Sequence, residues 1–304
     1  MEKRVEHRFE VSVGAALKID TCTGEVRITE GDSQAIEVVV IEQANVADET
    51  SLDRLLRGLD LRIDEKEGTV NITARARRWL AWSWQDWSPV SLAYEITVPR
   101  VCDLEVRTRE GRIIVGKLQG RMALTTESGP IFTAEIDGEV KARSRSGAVA
   151  VTACTGLVDV RTSTGSITVG RAYSRAELAS DGGYIELQQA HGPVLVRGNG
   201  TEAKVGLASP FKNGADIATS GGDVLLAFDN TSACTLDLHA SIFGHVQMRG
   251  LAVDVSAGGQ NRSTLAGTVN GGGPVIKVDA SGGNVQVRGQ DPIPSLDPSS
   301  ASRE

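Results

Sequence analysis

Asp159, Glu177 and Asp181 are the acidic residues whose spacing could do hydrolytic chemistry, because cleavage of a glycosidic bond calls for two carboxylates flanking it. Arg143 and Arg161 accompany them, and charge pairing accounts for the three acids more simply than catalysis does. His239 and His245 with Asp237 come nearest to a metal-ligand set, yet the 4 histidines follow no repeated ligand spacing. Cys22, Cys102, Cys154 and Cys234 are scattered without a Cys-x-x-Cys pair, which reads as reduced thiols rather than a zinc site or a disulfide frame. Gly198-Asn199-Gly200 follows a strand-like run, but Gly206, Pro210 and Gly214 deny it the helix that a nucleotide-binding turn needs. The pairs Gly182-Gly183, Gly221-Gly222 and Gly282-Gly283 are too sparse for a calcium-binding nonapeptide array. The expectation is a protein with no catalytic residue, metal, cofactor or nucleotide.

The least routine stretch is a tryptophan cluster. Trp79, Trp82, Trp84 and Trp87 are all 4 tryptophans of the chain, and Arg75, Arg77 and Arg78 precede them. Indole rings bury large area while keeping one polar handle, so they are enriched where proteins bind partners. Three readings stand: a segment folded over the end of the domain to fill it, a surface for a protein partner or a second copy, or a platform for a cofactor or sugar. The four rings are the candidate partner-binding residues.

The elements that must hold these groups repeat. From residue 104 to 200 the sequence returns into register with itself every 18 residues, with Gly111, Gly129, Gly147, Gly165 and Gly183 marking one turn. Gly120, Gly138, Gly156 and Gly192 mark a second turn midway. Ile113/Val115, Ile131/Thr133, Val149/Val151, Ile167/Val169 and Ile185/Leu187 alternate with polar residues, the mark of a strand with one buried face. Met122/Leu124, Val140/Ala142, Val158/Val160, Ala176/Leu178 and Val194/Val196 form a second set, and Leu118, Ile136, Cys154, Ala172 and Ala190 an apolar corner. Thr108, Thr126, Ser144, Thr162 and Ser180 form a hydroxyl column beside the turn glycines, where such groups bond the backbone. No such unit can bury its own face, so neighbours must stack. The fold expected is all-β: a single-stranded parallel β-solenoid of 18-residue coils, right-handed because parallel crossovers nearly always are. Outward charges such as Arg109 and Glu127, or Lys141 and Asp159, would pair across the rungs.

One coil precedes the main array, since Leu17, Ile19, Thr21, Gly24, Val26 and Ile28 match Leu104, Val106, Thr108, Gly111, Ile113 and Val115. An insertion over about 36–92 then reads as an α/β cap for the N-terminal end. It carries strands at 36–41, 59–63 and 70–74, and a helix over 48–58 with Leu52, Leu55, Leu56 and Leu59 at helical spacing. After residue 200 the period loosens. Coils appear at 217–226 and 236–248, a glycine-rich interruption runs over 250–273, and Ile276 to Val287 closes the array. The expected division is one domain over 1–289 and a disordered tail over 290–304.

Composition agrees with this. Aromatic residues are only 4% of the chain while glycines number 34, as a narrow bore filled by aliphatic side chains requires. A net charge of -7 argues against nucleic acid or anionic membrane as the main partner. No apolar run is long enough for a transmembrane helix, and Met1 to Gly14 is charged and strand-like, so the chain is expected in the cytoplasm.

Ile19-x-Thr21-x-Thr23-Gly24-Glu25-Val26, Tyr94-Glu95-Ile96-Thr97-Val98-Pro99, the Ser/Thr-Gly-x-Ile-x-Val coils and Leu265-Ala266-Gly267-Thr268-Val269-Asn270-Gly271-Gly272-Gly273 carry a resemblance. Over roughly residues 10–289 the chain resembles the bacterial and archaeal β-solenoid domains called putative adhesins or toastrack domains, a family of unestablished function. The resemblance implies the solenoid fold and supplies no catalytic motif. More distantly, the coil length is similar to that of bactofilins, cytoplasmic solenoids that polymerise end to end. The reading that follows is a non-catalytic cytoplasmic scaffold for protein interaction. The alternatives are a carbohydrate-binding or carbohydrate-active β-helix and a self-polymerising scaffold.

Overall fold

The computed structural model describes residues 2–44, 46, 50, 56, 58–76, 90–209, 211–241 and 243–290. The tryptophan segment, most of the expected helix at 48–58 and the tail from 291 lie outside them. The described residues form an all-β structure of 26 strands, mostly parallel, and the chain divides into two compact units, 1–165 and 166–304.

The first unit holds thirteen strands. They are β1 (Glu2–Glu10), β2 (Ala15–Thr21), β3 (Glu25–Gly31), β4 (Ala35–Ala44), β5 (Leu59–Lys66), β6 (Thr69–Ala76) and β7 (Val90–Pro99). There follow β8 (Cys102–Glu110), β9 (Ile113–Val115), β10 (Leu118–Ser128), β11 (Ile131–Ser144), β12 (Val149–Cys154) and β13 (Val158–Thr162). The expected period is the observed register: Leu104 lies beside Met122, Met122 beside Val140 and Val140 beside Val158, 18 residues apart each time. Ile113, Ile131 and Val149 are stacked in the same way. The early coil also falls where its sequence match put it, with Leu17 beside Leu104 and Val26 beside Ile113. Inward residues alternate with outward ones, and Ile19, Val26, Val106, Ile113, Ile131 and Val140 are fully buried.

Beyond this first coil the sheet continues. β6 pairs parallel with β2 and antiparallel with β5, while β7 pairs parallel with β3 and antiparallel with β4, which carries β1 antiparallel on its far side. The strands expected at 36–41, 59–63 and 70–74 are β4, β5 and β6.

The second unit holds β14 (Ile167–Ala172), β15 (Ala176–Ser180), β16 (Tyr184–Ala190), β17 (Val194–Asn199), β18 (Glu202–Leu207), β19 (Ala215–Ser220) and β20 (Val224–Asp229). It continues with β21 (Cys234–Ala240), β22 (Val246–Arg249), β23 (Val253–Gly258), β24 (Thr264–Val269), β25 (Val275–Ala280) and β26 (Val285–Gln290). Ile167 lies beside Ile185 and Ala176 beside Val194, again 18 apart, but Val194 lies beside Ala215, 21 apart.

Strand order then departs from chain order. Ile276 lies between Ala215 and Leu236, and Val285 between Val224 and Val246. The last coil of the sequence is therefore sandwiched between the two before it rather than closing the array, as its sequence position implied. β21 takes β24 antiparallel on its other side, and β24 takes β23.

The turn glycines have a different justification from the one that turn chemistry suggests. Gly24 and Gly111 have φ of 115 and 121, but Gly129, Gly147 and Gly165 are absent from the positive-φ set. What binds them is proximity. A Cβ on Gly129 would run into the carbonyl oxygen of Gly111, one on Gly147 into that of Gly129, and one on Gly165 into that of Gly147. In the second unit Gly222, Gly283 and Gly244 stack likewise, in the shuffled order of their strands. Gly147→Ala is expected to cost about 2–3 kcal/mol, an overpacking penalty against immobile backbone, whereas Gly14→Ala, with open space around it, costs only the strain of its φ of 83. Urea denaturation of the two variants checks this.

Candidate functional site

Each polar column of the array is occupied by partners within it. Thr21 and Thr108 donate their hydroxyls to the carbonyls of Thr23 and Glu110, both at 2.8 Å. Ser144 and Thr162 accept the backbone N–H of Gly147 and Gly165 at 2.8 and 3.0 Å. In the second unit Ser180 bonds the carbonyl of Gly182, and Thr219 that of Gly222 at 2.9 Å. Thr126 belongs to the same column but its buried hydroxyl has no partner. The bonded hydroxyls therefore brace turns. Tyr94, fully buried, joins them through a 3.0 Å bond to Thr21, and burial raises its phenol above the ordinary range.

Two of the three acidic candidates are held by arginines. Asp159, 7% exposed, takes Arg143 on one oxygen and stands 3.4 Å from Nε of Arg161 on the other, while Arg143 also donates to the Asp159 carbonyl at 2.8 Å. Glu177, in the other unit, accepts Arg175 at 2.6 Å. Asp181 is exposed. Across the rungs Arg109 meets Glu127 at 3.8 Å as its spacing implied. Lys141 lies beside Asp159 in register but pairs with Glu139 at 2.7 Å, because Arg143 and Arg161 already hold that acid.

An open trough of about 530 Å³ runs across the outward face of β2, β8, β10 and β11, where Lys18, Glu105, Asp103, Arg121, Glu139 and Lys141 project around Ala16 and Ala123. Its charges are mutually satisfied: Lys18 with Glu105 at 3.0 Å, Arg121 with Asp103 at 2.6 Å, Lys141 with Glu139. Burial tends to raise the Asp103 carboxyl, but hydrogen bonds from the Arg121 side chain and backbone outweigh it and hold it below the usual carboxylate range. On the face of β9, β11 and β12, Ile114, Phe132 and Ala150 make an outward apolar row, with the Arg112 guanidinium 5.9 Å from the Phe132 ring centroid. Both features were visible once coils are aligned, as charged or apolar residues in one outward column.

The histidines go separate ways. His239 bonds Asp237 at 2.9 Å, while His245 bonds the Gln247 side chain at 2.9 Å. Among the described residues no three His, Cys, Asp or Glu side chains converge. All 4 cysteines are free thiols. Cys154 sits in the corner column above Ile136, and burial pushes its thiol up to about 11, Cys234 to about 11 and Cys102 to about 12. Trp79, Trp82, Trp84 and Trp87 fall outside the described residues.

A mainly parallel, repeat-built all-β protein is the class this architecture defines. Solved structures similar to the chain include a putative adhesin from Bacteroides fragilis, 10% identical over 94% of this chain and 97% of that one, with a TM-score of 0.45. A putative adhesin from Parabacteroides distasonis is 9% identical over 93% of this chain and 97% of its own, with a TM-score of 0.45. A third, named a putative lipid binding protein from the same organism, is 11% identical over 93% and 96%, with a TM-score of 0.42. The first two bear the name of the domains that the coil sequences resemble. No family model and no curated protein matches the chain.

Two measurements check this account of the side chains. Asp159→Asn leaves Arg143 and Arg161 side by side without their counter-charge and is expected to cost about 2 kcal/mol; an unchanged urea midpoint would mean that the acid is not structural. With iodoacetamide at pH 8, partly exposed Cys22 is expected to react first, while Cys102, Cys154 and Cys234, each less than about one part in a hundred thiolate at that pH, label only after denaturation, as peptide mass spectrometry reads.

Proposed function

We propose that the chain is a non-catalytic scaffold. Its coils form a single-stranded right-handed β-solenoid over 1–289, the strands at 36–92 cap the N-terminal end, and the protein works in the cytoplasm by holding a protein partner or a second copy. The observation that carries the reading is the state of the reactive side chains. The hydroxyls brace turns, the carboxylates of the trough and of Asp159 are paired, and three thiols are buried. A groove whose every charge is already matched leaves little for a substrate to polarise. What such a frame can offer is a fixed surface.

The tryptophan segment is the feature proposed to meet the partner. It leaves the sheet after β6 and rejoins it at β7, both neighbours of the first coil. Its four rings are the only tryptophans, so intrinsic fluorescence reports on that segment alone. In the isolated protein, acrylamide is expected to quench the emission nearly as well as it quenches free tryptophan. Trp82→Ser with Trp84→Ser should leave the β-rich circular dichroism and thermal midpoint unchanged. Blue-shifted, quench-resistant emission, or collapse of the double variant, would make the segment a packing element and remove it as an interaction surface.

A further inference from the structure

Among the described residues, strands β1, β5, β22 and β23 each pair with a single neighbour. Such an edge offers unpaired N–H and C=O groups to any extended chain, and proteins ordinarily blunt it with charge or cover it. Three of the four are treated so. β1 carries Glu2, Lys3, Arg4, Glu6, Arg8 and Glu10, and β5 carries Asp60, Arg62, Asp64, Glu65 and Lys66. β22 is covered by the loop at 261–262, which accepts the Val246 N–H at 2.8 Å and donates to the Val246 carbonyl at 2.9 Å.

β23 has neither protection. It reads Val253-Asp254-Val255-Ser256-Ala257-Gly258, with one charge. Residues opposed in an antiparallel pair share a face, and Val253 and Val255 stand opposite Val269 and Gly267, both buried. A Cβ on Gly267 would lie 3.0 Å from the Val253 side chain, so Val253 projects on the core side, and Val255, two residues on, shares its face. Yet Val255 is 48% exposed. The core face of the sheet thus runs one strand further than the described residues cover it, and a free ladder lies beside it.

We propose that β23 docks against β23 of a second copy of this chain, antiparallel about a two-fold axis at Val255. About that axis no like charges oppose each other: Val255 faces its counterpart, and Asp254, the one charge of the strand, lies opposite Ser256. A two-fold contact consumes both edges, so assembly stops at two. The bulge between Val255 and Ala257 keeps the paired stretch short. The dimer is accordingly weak, with a dissociation constant on the order of 100 µM.

Sedimentation equilibrium on the full chain up to about 1 mM tests this. The wild type is expected to reach mostly dimer, Val255→Lys to stay monomeric with an unchanged thermal midpoint, and Val255→Cys to give a disulfide-linked dimer on mild oxidation. The double tryptophan variant should dimerise like the wild type, which separates this edge from the tryptophan segment. A monomeric wild type, a dimer that survives Val255→Lys, a Val255→Cys that does not cross-link, open-ended polymer, or loss of the dimer in the tryptophan variant would each overturn the proposal.

Discussion

The constraint on which the rest of the molecule depends is the distance between one rung and the next. Hydrogen-bonded parallel strands lie roughly 4.8 Å apart, and where the chain turns between strands its backbone must pass as close to the turn below. At Gly129, Gly147 and Gly165 there is no room for a Cβ. Everything that makes the repeat regular follows from respecting that spacing. The hydroxyl column sits where a short side chain can reach the turn, and the corner column of Leu118, Ile136 and Cys154 fills the bend from within. The outward charges come within reach of the rungs above and below.

This close approach also explains how the side chains brace the array. Apart from Thr126, the hydroxyls beside these turns find a backbone donor or acceptor within three residues, and outward carboxylates such as Asp103, Glu127 and Glu139 find an arginine or lysine on their own strand or the next. Asp159, with Arg143 and Arg161, is the densest case. The trough on β2, β8, β10 and β11 is the same arrangement spread over four strands.

Much of this was legible in the residues because the array is periodic in both composition and geometry. An 18-residue offset in the sequence is an 18-residue offset in the register, and the match of Leu17 and Val26 to Leu104 and Ile113 placed a coil 87 residues away on its partner. Two things were not legible. An apolar alternation fits any neighbour of the same pattern, so Ile276 and Val278 do not say whether they follow Leu236 or precede it, and the structure puts them between two coils. A glycine in a turn reads equally as a need for positive φ or as a lack of space, and only coordinates show that Gly111 has both while Gly129 has the second alone. Of the candidate site, the paired acids behave as their arginines implied, whereas the tryptophans lie outside the described residues.

The sandwiched last coil has a consequence for how the protein is made. Residues 234–249 emerge from the ribosome before 275–290, yet the parallel neighbours on which β21 and β22 lie are β25 and β26. Until those strands are synthesised, β21 has only its antiparallel neighbour β24 and β22 has no paired strand, so this part of the sheet cannot be completed vectorially and is finished only after translation has passed it.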